Sequence, residues 1–182
     1  MSIDTRLAFV GLTGLVAVQR LVELRVSNQH VRLALARGGI EAGADTYRWM
    51  VALHATSLAA APLEVLLCRR PWIPRLGLAM LILLTAAQIL RYWAIRTLGP
   101  RWMTRVICVP GDPLVTAGPY RLMRHPNYTA VVIELAALPL VHTAWVTAVL
   151  SSAANGAVLW RRIGIEEGAL RRYCRRSEER PA

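Results

Sequence analysis

Apolar residues fall into five runs, at about 7–26, 47–68, 76–98, 128–141 and 144–160, with polar or turn-forming segments between them. Each of the first three is close to the ~20 residues that an α-helix needs to cross ~30 Å of hydrocarbon. The fourth is too short to cross alone. His142 and Thr143 separate it from the fifth, and Pro139 stands just before, so the two read as a tight helical hairpin. The first run is not a signal peptide. No small-residue cleavage site follows it, and Asp4 stands where a basic cluster belongs.

The connectors differ in kind. Residues 28–45 are polar, with Gly38, Gly39 and Gly43 as breakers. Arg69, Arg70, Pro71 and Pro74 make a short turn. Residues 99–127 form the longest non-apolar segment, rich in proline and glycine, yet Trp102, Val106, Ile107 and Val109 argue against disorder. From Arg161 the chain is charged and starts as a helix. The pattern predicts an all-α integral membrane protein, one domain over 1–182. It has about five transmembrane helices, the last two a hairpin, with a long loop and a C-terminal helix on one side.

Composition agrees. The chain has 182 residues, 55% of them hydrophobic, and a mean hydropathy of +0.38. That is more apolar than a soluble domain of this size usually is, and it excludes a disordered chain. Cys68, Cys108 and Cys174 are odd in number and far apart, which excludes a disulfide-stapled module and gives no metal spacing.

All 22 basic residues are arginine, against 11 acidic ones, for a net charge of +11. Such a charge suits nucleic acid. Here the arginines flank apolar runs and leave no polar domain to dock on a duplex, so membrane lipid is the expected partner and nucleic acid is not. The first connector, the long loop and the tail share one side. They carry Arg25, Arg32, Arg37, Arg48, Arg96, Arg101, Arg105, Arg121, Arg124 and the tail set from Arg161 to Arg180. The other side holds Arg6, Arg69, Arg70 and Arg75. The positive-inside rule therefore puts the long loop and the C-terminus in the cytoplasm.

Ionisable groups inside apolar runs are costly and often functional. They are Arg20, Glu23, His54, Glu64, Arg91 and Glu134. Arg20 and Glu23 either pair to hold the bundle or serve a site. His54, Arg91 and Glu134 together point to a polar cavity.

Two local signals stand out. In the segment 118–128, Pro126 is placed to start a helix, so Arg124 and His125 sit beside free backbone N–H groups. That combination attracts a carboxylate or phosphate, or anchors the chain to lipid phosphates. Further on, Ser151, Asn155, Arg162 and Glu166 share one helical face. Glu166 and Glu167 suit ribose hydroxyls or an ammonium group, or else form a solvated face.

These two segments read Gly-x-Tyr-x-x-x-Arg-His-Pro-x-Tyr (118–128) and Arg-x-x-x-Glu-Glu-x-x-Leu (162–170). Joined by a helical hairpin, they resemble the isoprenylcysteine carboxyl methyltransferase family of integral membrane enzymes. The resemblance implies S-adenosylmethionine as cofactor, no metal, and a cofactor-binding part at about 99–175 that includes a cytoplasmic loop. It places Tyr120, His125, Pro126, Asn127 and Tyr128 at the cofactor, with Asp112, Pro113, Leu114 and Val115, and Arg105 more weakly. Glu166 matches a cofactor-binding glutamate, and Arg124 and Glu167 belong to the same cluster. Arg162 matches an arginine facing the substrate. Asp112 departs from the pattern, standing where prenylcysteine enzymes commonly carry His.

Residues 19–25, Gly38-Gly39 and 51–54 resemble a bacterial branch associated with type III polyketide synthases, some members of which O-methylate alkylresorcinols or alkylpyrones. That implies an inner-membrane enzyme acting on a lipophilic small molecule from the inner leaflet, a lipid phenol or enol. Glu134 and His54 are then the candidate general bases, and Arg91 or Arg162 would stabilise an oxyanion. Three alternatives stand beside this: a prenylcysteine carboxyl methyltransferase, a membrane reductase using a nicotinamide cofactor, and a non-catalytic scaffold.

Overall fold

The structure, a computed structural model, describes residues 4–174. Arg175, Arg176 and Arg180 of the expected basic tail lie outside the described residues. Five helices dominate: α1 (Thr5–Ala36), α2 (Ala44–Leu67), α3 (Pro74–Leu98), α4 (Pro126–Leu140) and α5 (Trp145–Tyr173). Two short strands, β1 (Ile40–Ala42) and β2 (Val106–Cys108), pair antiparallel with Glu41 opposite Ile107. Single 3-10 turns cover Gly99–Arg101 and Gly118–Arg121.

Helix starts follow the prolines. Pro74 and Pro126 stand in the first turns of α3 and α4, where a missing N–H costs nothing and φ is preset. Asp4 caps α1 by accepting from the Arg6 N–H at 3.0 Å. Glu64, near the end of α2, caps α5. Its carboxylate accepts from the Val146 and Thr147 N–H groups at 3.2 and 2.8 Å and from Arg70 Nε at 3.0 Å. This intramembrane carboxylate thus has a structural partner set, satisfying N–H groups that a helix start leaves open.

Two expectations need correction. The polar connector at 28–45 is helical as far as Ala36, because Ser27, Val31 and Ala34 continue the buried stripe of α1. Its polar residues lie on the other face. The chain turns only at Gly38, with φ of +80°, and Gly39, where a Cβ would meet the Ala34 carbonyl oxygen at 2.7 Å. Second, among the described residues three helices rather than five are long and apolar enough to cross a membrane: Thr5–Ala36, Ala44–Leu67 and the stretch Pro74–Arg101. The helix α4 has 15 residues, roughly 22 Å at 1.5 Å per residue.

A small buried cluster of Val106, Cys108 and Ala169 lies at the loop end, and the larger core lies at the opposite end of the bundle. It gathers Phe9, Val16, Ala61, Val65, Leu84, Ala137, Leu138, Val141 and Ala144. The outer surface is apolar, with Leu15, Ile82, Ile89, Leu150 and Trp160 each more than half exposed. An exterior of this kind suits hydrocarbon as the solvent. At the other end α1 and α2 stand apart, and the space between them and α5 is left open as a cavity.

Candidate active site

The cavity measures about 1320 Å³. Its wall is built from α1, α2, the segment 100–116, the start of α4 and the end of α5. Two polar layers face it. The upper one lies at the loop end and collects the two sequence motifs.

Arg162 organises the upper layer. It is 2% exposed. Its Nε donates to the Tyr128 hydroxyl at 2.9 Å and its Nη2 donates to the Thr104 carbonyl. Thr104 is itself fixed from α1, since its N–H donates to Ser27 Oγ at 2.8 Å. Tyr128 in turn donates to Glu166. Arg162 has no carboxylate partner among the described residues, and its Nη1 donates to nothing. A buried guanidinium in that state calls for an anion.

His125 stacks on Tyr128, with ring centroids 5.4 Å apart, and its Nε2 lies 3.3 Å from Glu167 Oε1. Arg124 and Arg171 each approach Glu167 at 3.6 Å. The hydrogen bond from His125, helped by the arginines, holds the Glu167 carboxyl below its usual range. Although it stands at the N-cap of α4, His125 makes no side-chain capping bond. Burial, and secondarily Glu166, pushes the Tyr120 phenol up, so it stays protonated. Gly118, with φ of +56°, turns the chain where a Cβ would strike Thr97 Oγ1 at 2.5 Å. Only glycine suits that combination.

The lower layer lies about 9 Å deeper, the rise from Tyr128 to Glu134 along α4. Arg91 donates to both Glu23 oxygens, at 3.1 Å from Nε and 2.5 Å from Nη2. Arg20 pairs with Glu23 and with Glu134. Gln19 and Gln88 fill the remaining bonds, at 2.9 Å to each other and 3.2 and 3.3 Å to the carboxylates. These charges pair with one another, and Arg20, Glu23 and Arg91 also face the cavity, whereas Glu134 does not. Beside them His54 donates from Nδ1 to the Met50 carbonyl at 2.8 Å. That bond fixes the tautomer and leaves Nε2 as an acceptor.

Of the residues expected at the site, His54, Arg91, Arg105, Asp112, Pro113, Leu114, Val115, Tyr120, Arg124, His125, Asn127, Tyr128, Arg162, Glu166 and Glu167 line this one cavity. Glu134 and Pro126 do not. Glu134 sits behind the wall in its pair with Arg20, and Pro126 serves the helix start. Asp112 turns to Arg37 at 2.8 Å and Arg101 at 3.8 Å, tying the loop to the end of α1. Sequence reasoning missed Trp102, His30 and Thr104. Trp102 is 2% exposed, and its carbonyl accepts from His30 Nδ1 at 2.7 Å. A lone Trp inside a polar segment was the signal for it. No group of three His, Cys, Asp or Glu residues placed to hold a metal occurs among the described residues.

Comparisons with known proteins bear on this arrangement. The profile of the isoprenylcysteine carboxyl methyltransferase (ICMT) family matches residues 80–172, which contain both motifs. The uncharacterized protein YpbQ of Bacillus subtilis (strain 168) is 39% identical over 163 residues, covering 89% of this chain and 96% of that protein. No solved structure matches the chain.

Proposed function

Because the chain belongs to the isoprenylcysteine carboxyl methyltransferase family, it is a membrane methyltransferase, and we propose that it transfers a methyl group from S-adenosylmethionine to an oxygen of a lipophilic acceptor. In this reading it sits in a bacterial inner membrane with the loop end and C-terminus cytoplasmic. The acceptor is a lipid phenol or enol from the inner leaflet, of the alkylresorcinol or alkylpyrone type.

Four buried polar atoms test the cofactor. Trp102 Nε1, Arg105 Nε, Asn127 Oδ1 and Arg162 Nη1 find no partner among the described residues, and all four side chains line the cavity. Leaving such a group unpaired costs about 1–3 kcal/mol. S-adenosylmethionine brings a carboxylate and adenine acceptors for Arg105 and Trp102, and an ammonium and ribose hydroxyls for Asn127 and Glu166, which leaves Arg162 Nη1 for the acceptor. The residues present fit it. Arg105 and Arg124 suit its carboxylate, while Tyr120, His125 and Glu167, with the loop Asp112, Pro113, Leu114 and Val115, supply the remaining wall.

When bound, S-adenosylmethionine supplies an electrophilic methyl group on a positively charged sulfur. The chain does the rest. Arg162, held rigid by Tyr128 and Thr104, offers Nη1 to the acceptor oxygen and favours its anionic form. This unpaired buried guanidinium is the observation that carries the reading. Holding donor and acceptor in line contributes on the order of 7–11 kcal/mol to lowering the barrier.

A second observation favours a hydroxyl over a carboxylate acceptor. A carboxylate arrives ionised and needs no base, whereas a phenol, with a pKa of about 10, must give up a proton. His54 has its Nδ1–H committed to Met50 and its Nε2 available in the cavity wall. In this step the hydroxyl proton is relayed through water to Nε2 as the oxygen bonds the methyl carbon and the methyl–sulfur bond breaks, the sulfur keeping the electron pair and leaving as a neutral thioether. The His54→Gln variant is expected to transfer methyl to an alkylphenol about 100-fold more slowly, with S-adenosylmethionine affinity unchanged by calorimetric titration. Equal rates would remove His54 from the mechanism. A parallel titration with a nicotinamide dinucleotide tests the reductase alternative, and lack of binding by either cofactor is what a scaffold would give.

A further inference from the structure

The cavity is larger than one ligand requires. Ligand pockets commonly measure about 300–1,000 Å³, and this one measures about 1320 Å³. Part of that space lies between α1 and α2, where the lining turns apolar and small. Ala17 and Leu21 come from α1, and Ala55, Leu58 and Ala59 from α2. Ala55 and Ala59 share one helical face. Ala59 stands roughly 7 Å farther along α2 than His54, so the groove continues past the polar layer of Arg20, Glu23 and Arg91. It ends where Val16, Ala61 and Val65, exposed by 5%, 0% and 0%, close the bundle. Its rim is open: Leu21 is 60% exposed, and Ala55 and Ala59 are exposed as well. Both flanking helices are long and apolar enough to span a membrane, so the rim faces hydrocarbon.

We infer that the groove between α1 and α2 seats one alkyl chain of the methyl acceptor, and that Ala55 and Ala59 set the length of chain it takes. This rests on the reading that the protein methylates a lipophilic acceptor. The groove is continuous with the polar cavity, so a single amphiphile fills both, with its polar head in the cavity and its tail along α2. The blind end at Val16 and Val65 limits the tail. Alanine at both positions leaves volume that any larger side chain would occupy.

The test uses the full chain in lipid nanodiscs with labelled S-adenosylmethionine and two probes, propylphenol and pentadecylphenol. In Ala59→Phe and Ala55→Phe, turnover of pentadecylphenol falls on the order of tenfold or more relative to wild type, while that of propylphenol is unchanged. Equal effects on both probes, or none on either, overturn the inference. Retained S-adenosylmethionine affinity shows that each variant is folded, and Ala59→Val replaces Ala59→Phe if it is not.

A pentadecylphenol ending in a diazirine gives a readout that needs no turnover. It labels residues 55–59 in wild type and not in Ala59→Phe. Label spread evenly over the outer faces of α1, α3 and α5 contradicts the groove. Failure of the methyltransferase reading shows separately, as absence of S-adenosylmethionine binding by the wild type.

Discussion

Arg162→Ala lowers methyl transfer about 1,000-fold, the upper range for removal of one oxyanion-stabilising donor. The effect falls on kcat, because the guanidinium meets negative charge only as the acceptor oxygen ionises. Arg162→Lys does not restore activity. The guanidinium reaches Tyr128, Thr104 and the cavity through three different nitrogens, and a single ammonium cannot reproduce that fork. Steady-state kinetics with an alkylphenol checks this. A variant with normal kcat and a raised KM would mean that Arg162 only holds ground-state ligand.

Glu23→Ala produces the largest loss of stability. Glu23 is 9% exposed, and its carboxylate takes both Arg20 and Arg91. Removing it leaves Arg91 without a carboxylate and Arg20 with Glu134 alone. Breaking a buried pair in this way costs about 3–5 kcal/mol, a fall of the order of ten degrees in Tm for a chain of this size. Thermal unfolding in detergent measures it. An unchanged Tm would show that water reaches the layer and screens the arginines. In Glu23→Gln the loss is smaller, because the amide still accepts from one arginine.

Much of the site was legible in the sequence because local chemistry marks it. Pro126 announces the start of α4, and helical spacing puts Ser151, Asn155 and Arg162 on the buried face of α5. The rest depends on contacts between distant segments. Nothing near Glu64 says that it caps α5. Nothing near Arg162 says that Ser27, on α1, fixes the Thr104 carbonyl to which it donates. The β1–β2 ribbon has strands of three residues, too short for an alternating pattern to show. Glu134 read as a candidate base because a carboxylate in an apolar run suggests function. Arg20, far away in sequence, draws it behind the cavity wall instead. Polarity at 28–36 suggested a loop, yet the buried stripe through Val31 and Ala34 keeps that stretch helical.

The central claim is that the layer around Arg162 and Tyr128 delivers a methyl group to a lipid oxygen. The direct measurement is incubation of the purified protein and methyl-labelled S-adenosylmethionine with a bacterial lipid extract, followed by mild alkali. The account predicts label in the lipid fraction that survives alkali, as a methyl ether does, and that disappears with Arg162→Ala. Label released by alkali would identify a carboxyl ester and reassign the acceptor. Label that never enters the lipid fraction would contradict the account.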